Sequence, residues 1–183
     1  LMEAKAKSLV YDLVPDLPAD PDPKAPVLER IGARGEMRIG FAPDLMPFSY
    51  VNLDAQLVGL DVEMMCELAK DLGVKPVFIP MDADSYAEML TAGTVDVTTG
   101  IPITVSTLRK VTFSAPYMDV NVGLLVRDHD RDRFADIETM RSTEGLTFGV
   151  MANKELDYFF NKMVEGFPDA NIVRIESVEE FFD

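Results

Sequence analysis

Between Glu36 and Thr99 the chain alternates strand-like and helix-like segments, and that order restricts the fold more than any single motif. Met37, Ile39 and Phe41 alternate with Arg38 and Gly40, the period of a strand. Phe48 to Val51 reads as a second short strand, and the turn at Asn52 to Asp54 sends the chain back. Leu60, Met64, Leu68 and Leu72 recur every four residues beside Met65 and Ala69, which gives one apolar helical stripe. Asp61 and Glu63 favour the N-terminal end of that helix, and Gly73 is placed to close it in a left-handed conformation. Val74 to Ile79 is a strand, Ser85 to Ala92 a helix ended by Gly93, and Val95 to Thr99 a strand. The order β-α-β-α-β predicts a largely parallel sheet with helices on its faces and right-handed crossovers. Ligands of such sheets collect at the carboxyl ends of the strands, so the loops Ala42 to Phe48, Pro80 to Asp84 and Gly100 to Thr107 converge on one place.

The flanking regions differ in character. Residues 2 to 13 form a short helix pattern. Residues 14 to 26, VPDLPADPDPKAP, place five prolines among aspartates and cannot continue it, so they read as an extended linker. Val27 to Ala33 resembles a short helix before Gly35. Beyond the alternating region, Asp119 to Arg127 is an apolar run suited to a connecting strand. Ile137 to Arg141 (helix), Leu146 to Val150 (strand), Lys154 to Val164 (helix), Asn171 to Ile175 (strand) and Val178 to Phe182 (helix) make a second α/β unit. Its two strands are few for an independent sheet.

Charge and cysteine content exclude several classes. Lys and Arg total 17 against 32 Asp and Glu, a net charge of −15, which argues against a nucleic-acid or anionic-membrane partner. The single cysteine, Cys66, allows no internal disulfide and falls within the helical pattern. No Cys and His cluster has metal spacing, and no cofactor is expected. The one histidine, His129, stands in a charged run that reads as surface. No apolar run approaches the roughly 18 residues of a membrane span, and the first residues lack the basic-then-apolar order of a signal peptide.

Val95 to Tyr117 carries the binding chemistry: Thr99 and Gly100 end a strand, Thr104, Ser106 and Thr107 supply hydroxyls, and Arg109 and Lys110 supply positive charge. Four stretches in order, MRIGFAPDLMPFSY (37–50), LVGLDVEMMCELAKDLGV (57–74), VDVTTGIPIT (95–104) and VTFSAPYMDVNVGLLV (111–126), resemble the type II periplasmic solute-binding proteins, in particular extracellular family 3. The resemblance covers about residues 28 to 183. It implies two α/β lobes, parallel-rich sheets flanked by helices, that close over a small polar or carboxylated solute: lobe 1 over 27–118, a hinge strand over 119–127 and a partial lobe 2 over 128–183. It also implies a periplasmic or extracellular place and a membrane transporter as partner. The proline-rich tract and LVRDHDRDRF look like the solute-binding domain that some bacterial proteins carry after a cation:dicarboxylate symporter domain. The family's ammonium-binding aspartate and return hinge strand would come after residue 183, so the resemblance implies a chain truncated at its C-terminus.

Three positions depart from the family pattern. Its aromatic residue in the loop after the third strand falls at Ala83, its threonine two residues after the glycine at Pro102, and its carboxylate-clamping arginine at Thr107. Arg109 is the nearest cation, but on a short helix two residues are about 200° apart. The resemblance therefore implies a cleft of altered specificity, with Asp44, Phe48, Asp82, Thr99, Gly100, Thr104, Thr107, Arg109 and, at a lobe 2 helix start, Asn153 as ligand-binding candidates. Asn153 serves equally as a helix cap, and Asp82 with Asp84 as caps of the helix at 85–92. Two rival readings stand beside solute binding. One is an enzyme on the same fold, similar to cyclohexadienyl dehydratases, with Asp44, Asp82 and Asp84 as its acid and base. The other is a degenerate sensor or interaction domain without a ligand.

Overall fold

The structure is a computed structural model that describes residues 17, 20, 22, 24–82, 84–121, 123–151 and 157–175. The helices expected at 2–13 and 178–182 lie outside the described residues, as do Ala83 and Asn153. The chain divides into two compact units, Leu1–Ile101 and Pro102–Asp183. That boundary falls inside the stretch that the sequence assigns to the first lobe.

Unit 1 is the parallel α/β fold that the alternation requires. Helix α1 (Val27–Arg34) ends at Gly35, whose φ of 71° and N–H to the Ile31 carbonyl at 3.0 Å form a left-handed cap. Strand β1 (Glu36–Phe41) follows, then a small antiparallel sheet of β2 (Asp44–Leu45), β3 (Ser49–Val51) and β4 (Leu57–Val58). Helix α2 (Leu60–Asp71), β5 (Lys75–Pro80), α3 (Tyr86–Ala92) and β6 (Val97–Thr98) complete the unit. The main sheet has the order β5-β1-β6, all parallel, with Gly40 opposite both Ile79 and Thr98.

Being central, β1 is buried on both faces, so Arg38 and Gly40 are as enclosed as their apolar neighbours. Gly40 is closely covered: a Cβ would stand 2.9 Å from Met81 Sδ, which would have to shift. The core joins Ile31, Met37, Ile39, Met65 and Ala69, and α2 contributes through Val62, Met65 and Ala69. Leu60, Leu68 and Leu72 of the expected stripe remain exposed. A spacing of four advances about 400° per step, so such a row drifts around the helix, while positions three and four apart stay on one face. Gly73 and Val74 close α2 with paired N–H groups to Lys70 and Ala69, the Schellman arrangement.

In unit 2 the loop 102–104 leads into α4 (Val105–Leu108). The described residues of 119–127 form no strand and are mostly exposed, because no described segment offers them a ladder partner. A 3₁₀ segment (Asp128–Phe134) carries the charged run, with His129 on the surface. Helix α5 (Ile137–Arg141) and the parallel pair β7 (Thr147–Met151) and β8 (Asn171–Ile175), joined by α6 (Asp157–Val164), enclose a second core of Met140, Leu146, Phe148, Val150 and Phe167. The Phe148 and Phe167 rings meet edge to face at 5.3 Å.

Candidate functional site

The carboxyl end of the unit 1 sheet is assembled around two glycines. Gly59 precedes α2 at φ 134°, and a Cβ there would stand 2.2 Å from the Phe48 carbonyl oxygen, so only glycine lets the 42–48 loop lie against the helix start. Two N–H groups of that start are taken by the same loop: Leu60 donates to Pro47 at 3.2 Å and Asp61 to Phe48 at 2.9 Å. Gly100 lies at φ 72°, and a Cβ there would meet Leu45 Cδ2 at 2.6 Å and Asp61 Oδ2 at 3.8 Å. The left-handed turn favours glycine, and a side chain there would push the end of the Leu45 side chain aside.

This geometry brings several expected residues to one end of unit 1. Asp44 pairs through its backbone with Tyr50. Phe48 is half-buried, Thr99 is buried and Gly100 is exposed. The Ser49 hydroxyl, also buried, donates to the Ala42 carbonyl at 2.7 Å and fixes the loop from beneath. Asp82 is exposed at the end of β5, and its carbonyl accepts the N–H of Ser85 at 3.0 Å and the Ser85 hydroxyl at 2.9 Å. Sequence reading missed Leu45, Gly59 and the burial of Asp61. The signal was the run Gly59-Leu60-Asp61 straight after a turn, where an acid two residues past a glycine follows the loop inward.

In unit 2 the hydroxyl-rich loop is closed upon itself. Thr104 caps α4 by accepting the Thr107 N–H at 3.1 Å, and the Thr107 hydroxyl accepts the Thr104 N–H at 2.9 Å, a reciprocal capping box. The Thr107 hydroxyl also lies 2.8 Å from the Pro102 carbonyl, to which it donates. Both threonines are buried, so they shape the loop from within, whereas Arg109 is exposed at the end of α4. The short hydroxyl at position 107 is fully enclosed and spends its hydrogen bonds within the loop. Asp136 caps α5 through the N–H groups of Glu138 and Thr139, and the Thr139 hydrogen bonds hold its carboxyl below the ordinary value. A cavity of about 410 Å³ lies at the amino ends of β7 and β8 against 140–146 and 166–170, and none of the expected residues lines it. Among the described residues no group of three or more His, Cys, Asp or Glu is placed to hold a metal ion, and no helix is long and apolar enough to cross a membrane.

Comparison with known proteins decides the family. The model of the bacterial extracellular solute-binding proteins, family 3, matches residues 37–174. The chain belongs to that family. An L-cystine-binding protein of Escherichia coli is 27% identical over 141 residues, 76% of this chain and 52% of the relative. A cyclohexadienyl dehydratase of Pseudomonas aeruginosa is 33% identical over 112 residues, 61% of this chain and 42% of the relative. Among solved structures, an ancestral amino acid-binding protein described as a precursor of cyclohexadienyl dehydratase aligns with a TM-score of 0.71 and 31% identity, covering 86% of this chain and 68% of that one. The α/β architecture is that of these binding proteins. The family 3 chain described here spans about half the length, 52% and 42%, of the two curated relatives.

Proposed function

We propose that this chain binds a small polar or carboxylated solute, an amino acid or organic acid, at the carboxyl end of the unit 1 sheet, and does so without catalysis. The observation that carries the reading is the family match over 37–174, and the names of the relatives support an amino-acid-like solute. Thr99, Gly100, Asp44, Phe48 and Asp82 are the proposed contacts from unit 1, with Arg109 and Asn153 from the rest of the chain. Thr104 and Thr107 hold the loop that follows Gly100. Without a bidentate guanidinium at position 107, a ligand carboxylate is bound less tightly than in relatives that have one. The proposed setting is the periplasmic or extracellular face of a membrane, with a transporter as the partner that receives the solute. Attachment of the chain to a symporter domain is part of this proposal and rests on the proline-rich tract.

A thermal-shift series of the 183-residue chain against amino acids and dicarboxylates tests it. A solute present at 100 times its Kd stabilises the folded state by about 2.7 kcal/mol, enough to move the midpoint by several degrees. An unchanged midpoint across the whole series would overturn solute binding and favour a domain that has lost its ligand. The dehydratase relative and the dehydratase-precursor structure favour one second reading, an enzyme on this fold. Loss of prephenate or arogenate on incubation with the chain would establish it, and Asp44→Asn, Asp82→Asn and Asp84→Asn would then identify the acid.

A further inference from the structure

At the amino end of the β5-β1-β6 sheet, remote from the solute loops, four charged side chains from three parts of unit 1 are buried together. Arg34, in the last turn of α1, donates from its two terminal nitrogens to two carboxylates, Asp20 and Asp96. Arg30, one turn earlier, donates to Asp20 from Nη1 at 2.6 Å. Asp96, immediately before β6, also accepts the Arg38 N–H at 2.9 Å. The side chains of Arg34, Asp96 and Asp20 are 3%, 0% and 7% exposed. The turn at Gly93 closes over the group: a Cβ there would stand 3.1 Å from Arg30 Nη1 and 3.9 Å from Asp20 Oδ2.

The two cations balance the two anions, and each carboxylate has a guanidinium as its partner. Burial pushes the Asp20 carboxyl up, but the hydrogen bonds and charges of Arg34 and Arg30 outweigh it and hold the group below its ordinary value. Burial likewise lowers Arg34, and Asp96 with Asp20 outweighs that to hold it higher. Asp20 is the member that the α/β alternation does not supply. It comes from the proline-rich tract, where a solvated acid on a loose spacer would gain almost nothing from an ion pair. Its neighbour Asp22 starts a turn, accepting the Lys24 N–H on its carboxylate at 3.0 Å and the Ala25 N–H on its carbonyl at 3.2 Å. The prolines of the tract reduce the conformational freedom to be lost when it docks.

We infer that Arg30 and Arg34 form a carboxylate socket whose occupant is Asp20, so that the proline-rich tract is docked on unit 1 instead of swinging as a spacer. The socket recognises an acidic side chain within the same chain. Asp20 is thereby held at the end of the sheet opposite the carboxyl-end loops.

Trypsin reads the docking directly, because Lys24 lies four residues from Asp20 and is exposed. In the full chain at neutral pH, Asp20→Asn and Arg30→Gln each leave the Arg34 and Asp96 pair intact. Cleavage after Lys24 is expected to become at least tenfold faster in both variants, and cleavage after Lys70 to rise by less than about fivefold. Equal rates after Lys24 in all three proteins overturn the socket. Acceleration after Lys24 that is matched after Lys70 also overturns it, because the charges would then serve the fold of unit 1 and not the tract.

Discussion

At the amino end of the unit 1 sheet, Asp20, Arg34 and Asp96 are sealed from solvent and bonded to one another, whereas at the carboxyl end Gly100 and Asp82 stand exposed beside a buried Thr99. The same three strands separate the two. The amino end joins segments up to 76 residues apart, from Asp20 to Asp96, through side-chain charge. The carboxyl end is held mainly by backbone: Phe48 and Pro47 carbonyls on the start of α2, and Leu45 against Gly100. One end is closed by charge, and the other keeps exposed positions where the solute is proposed to bind.

Removing Arg34 is the harshest test of that contrast. Arg34→Ala leaves Asp96 buried without its cation and is expected to cost about 3–5 kcal/mol, read as a fall in the urea midpoint. A loss under about 1 kcal/mol would show that the amino end is not held by charge. Glycine substitution separates the ends next. Gly35→Ala at the amino end meets open space and carries only left-handed strain of about 1–2 kcal/mol. Gly100→Ala adds to the same strain a displacement of the Leu45 side-chain end, for about 1–3 kcal/mol in total, and should weaken any solute-induced shift. Equal costs at the two glycines would remove the argument for a close-packed turn.

Thr107→Val tests the loop that follows. It leaves the Thr104 N–H and the Pro102 carbonyl without their hydroxyl, at about 1–2 kcal/mol, measurable by denaturation. The smallest effect belongs to Asp20. Its folded value lies below the ordinary one, so its contribution is complete above the unfolded carboxylate value and is lost as pH falls through the folded value. Asp20→Asn should therefore be less stable than the parent by about 1 kcal/mol at pH 7, and the two should converge in acid. A gap that persists once Asp20 is protonated in the folded chain would assign the effect to shape and not to charge.

Much of unit 1 was legible because its signals are local. Gly35, Gly73 and Gly93 end helices where the apolar periods stop, and the β-α-β-α-β order fixes a parallel sheet. The antiparallel β2-β3-β4 sheet was only half visible, since strands of two residues have no period to read. The face of α2 was read in part: Met64, Met65 and Ala69 of the expected stripe lie in or against the core, while its leucines at a spacing of four stay exposed and Val62 takes their place. Gly100 was readable from its strand-ending position. The enclosure of Thr104 and Thr107 was not, because hydroxyls look alike whether they face a ligand or each other. The charge network was hidden for a different reason: nothing local in a proline-rich tract says which arginine an aspartate will meet.

The contact between Gly59 and the Phe48 carbonyl has a mechanical consequence. Helix α2 runs from that contact back to Gly73, about 18 Å for its 12 residues, and Met65 and Ala69 anchor it to the core along the way. With no slack at Gly59, a shift of the 42–48 loop cannot be absorbed where it begins. Loop and helix start are thus packed as one piece, and the position of one sets the position of the other.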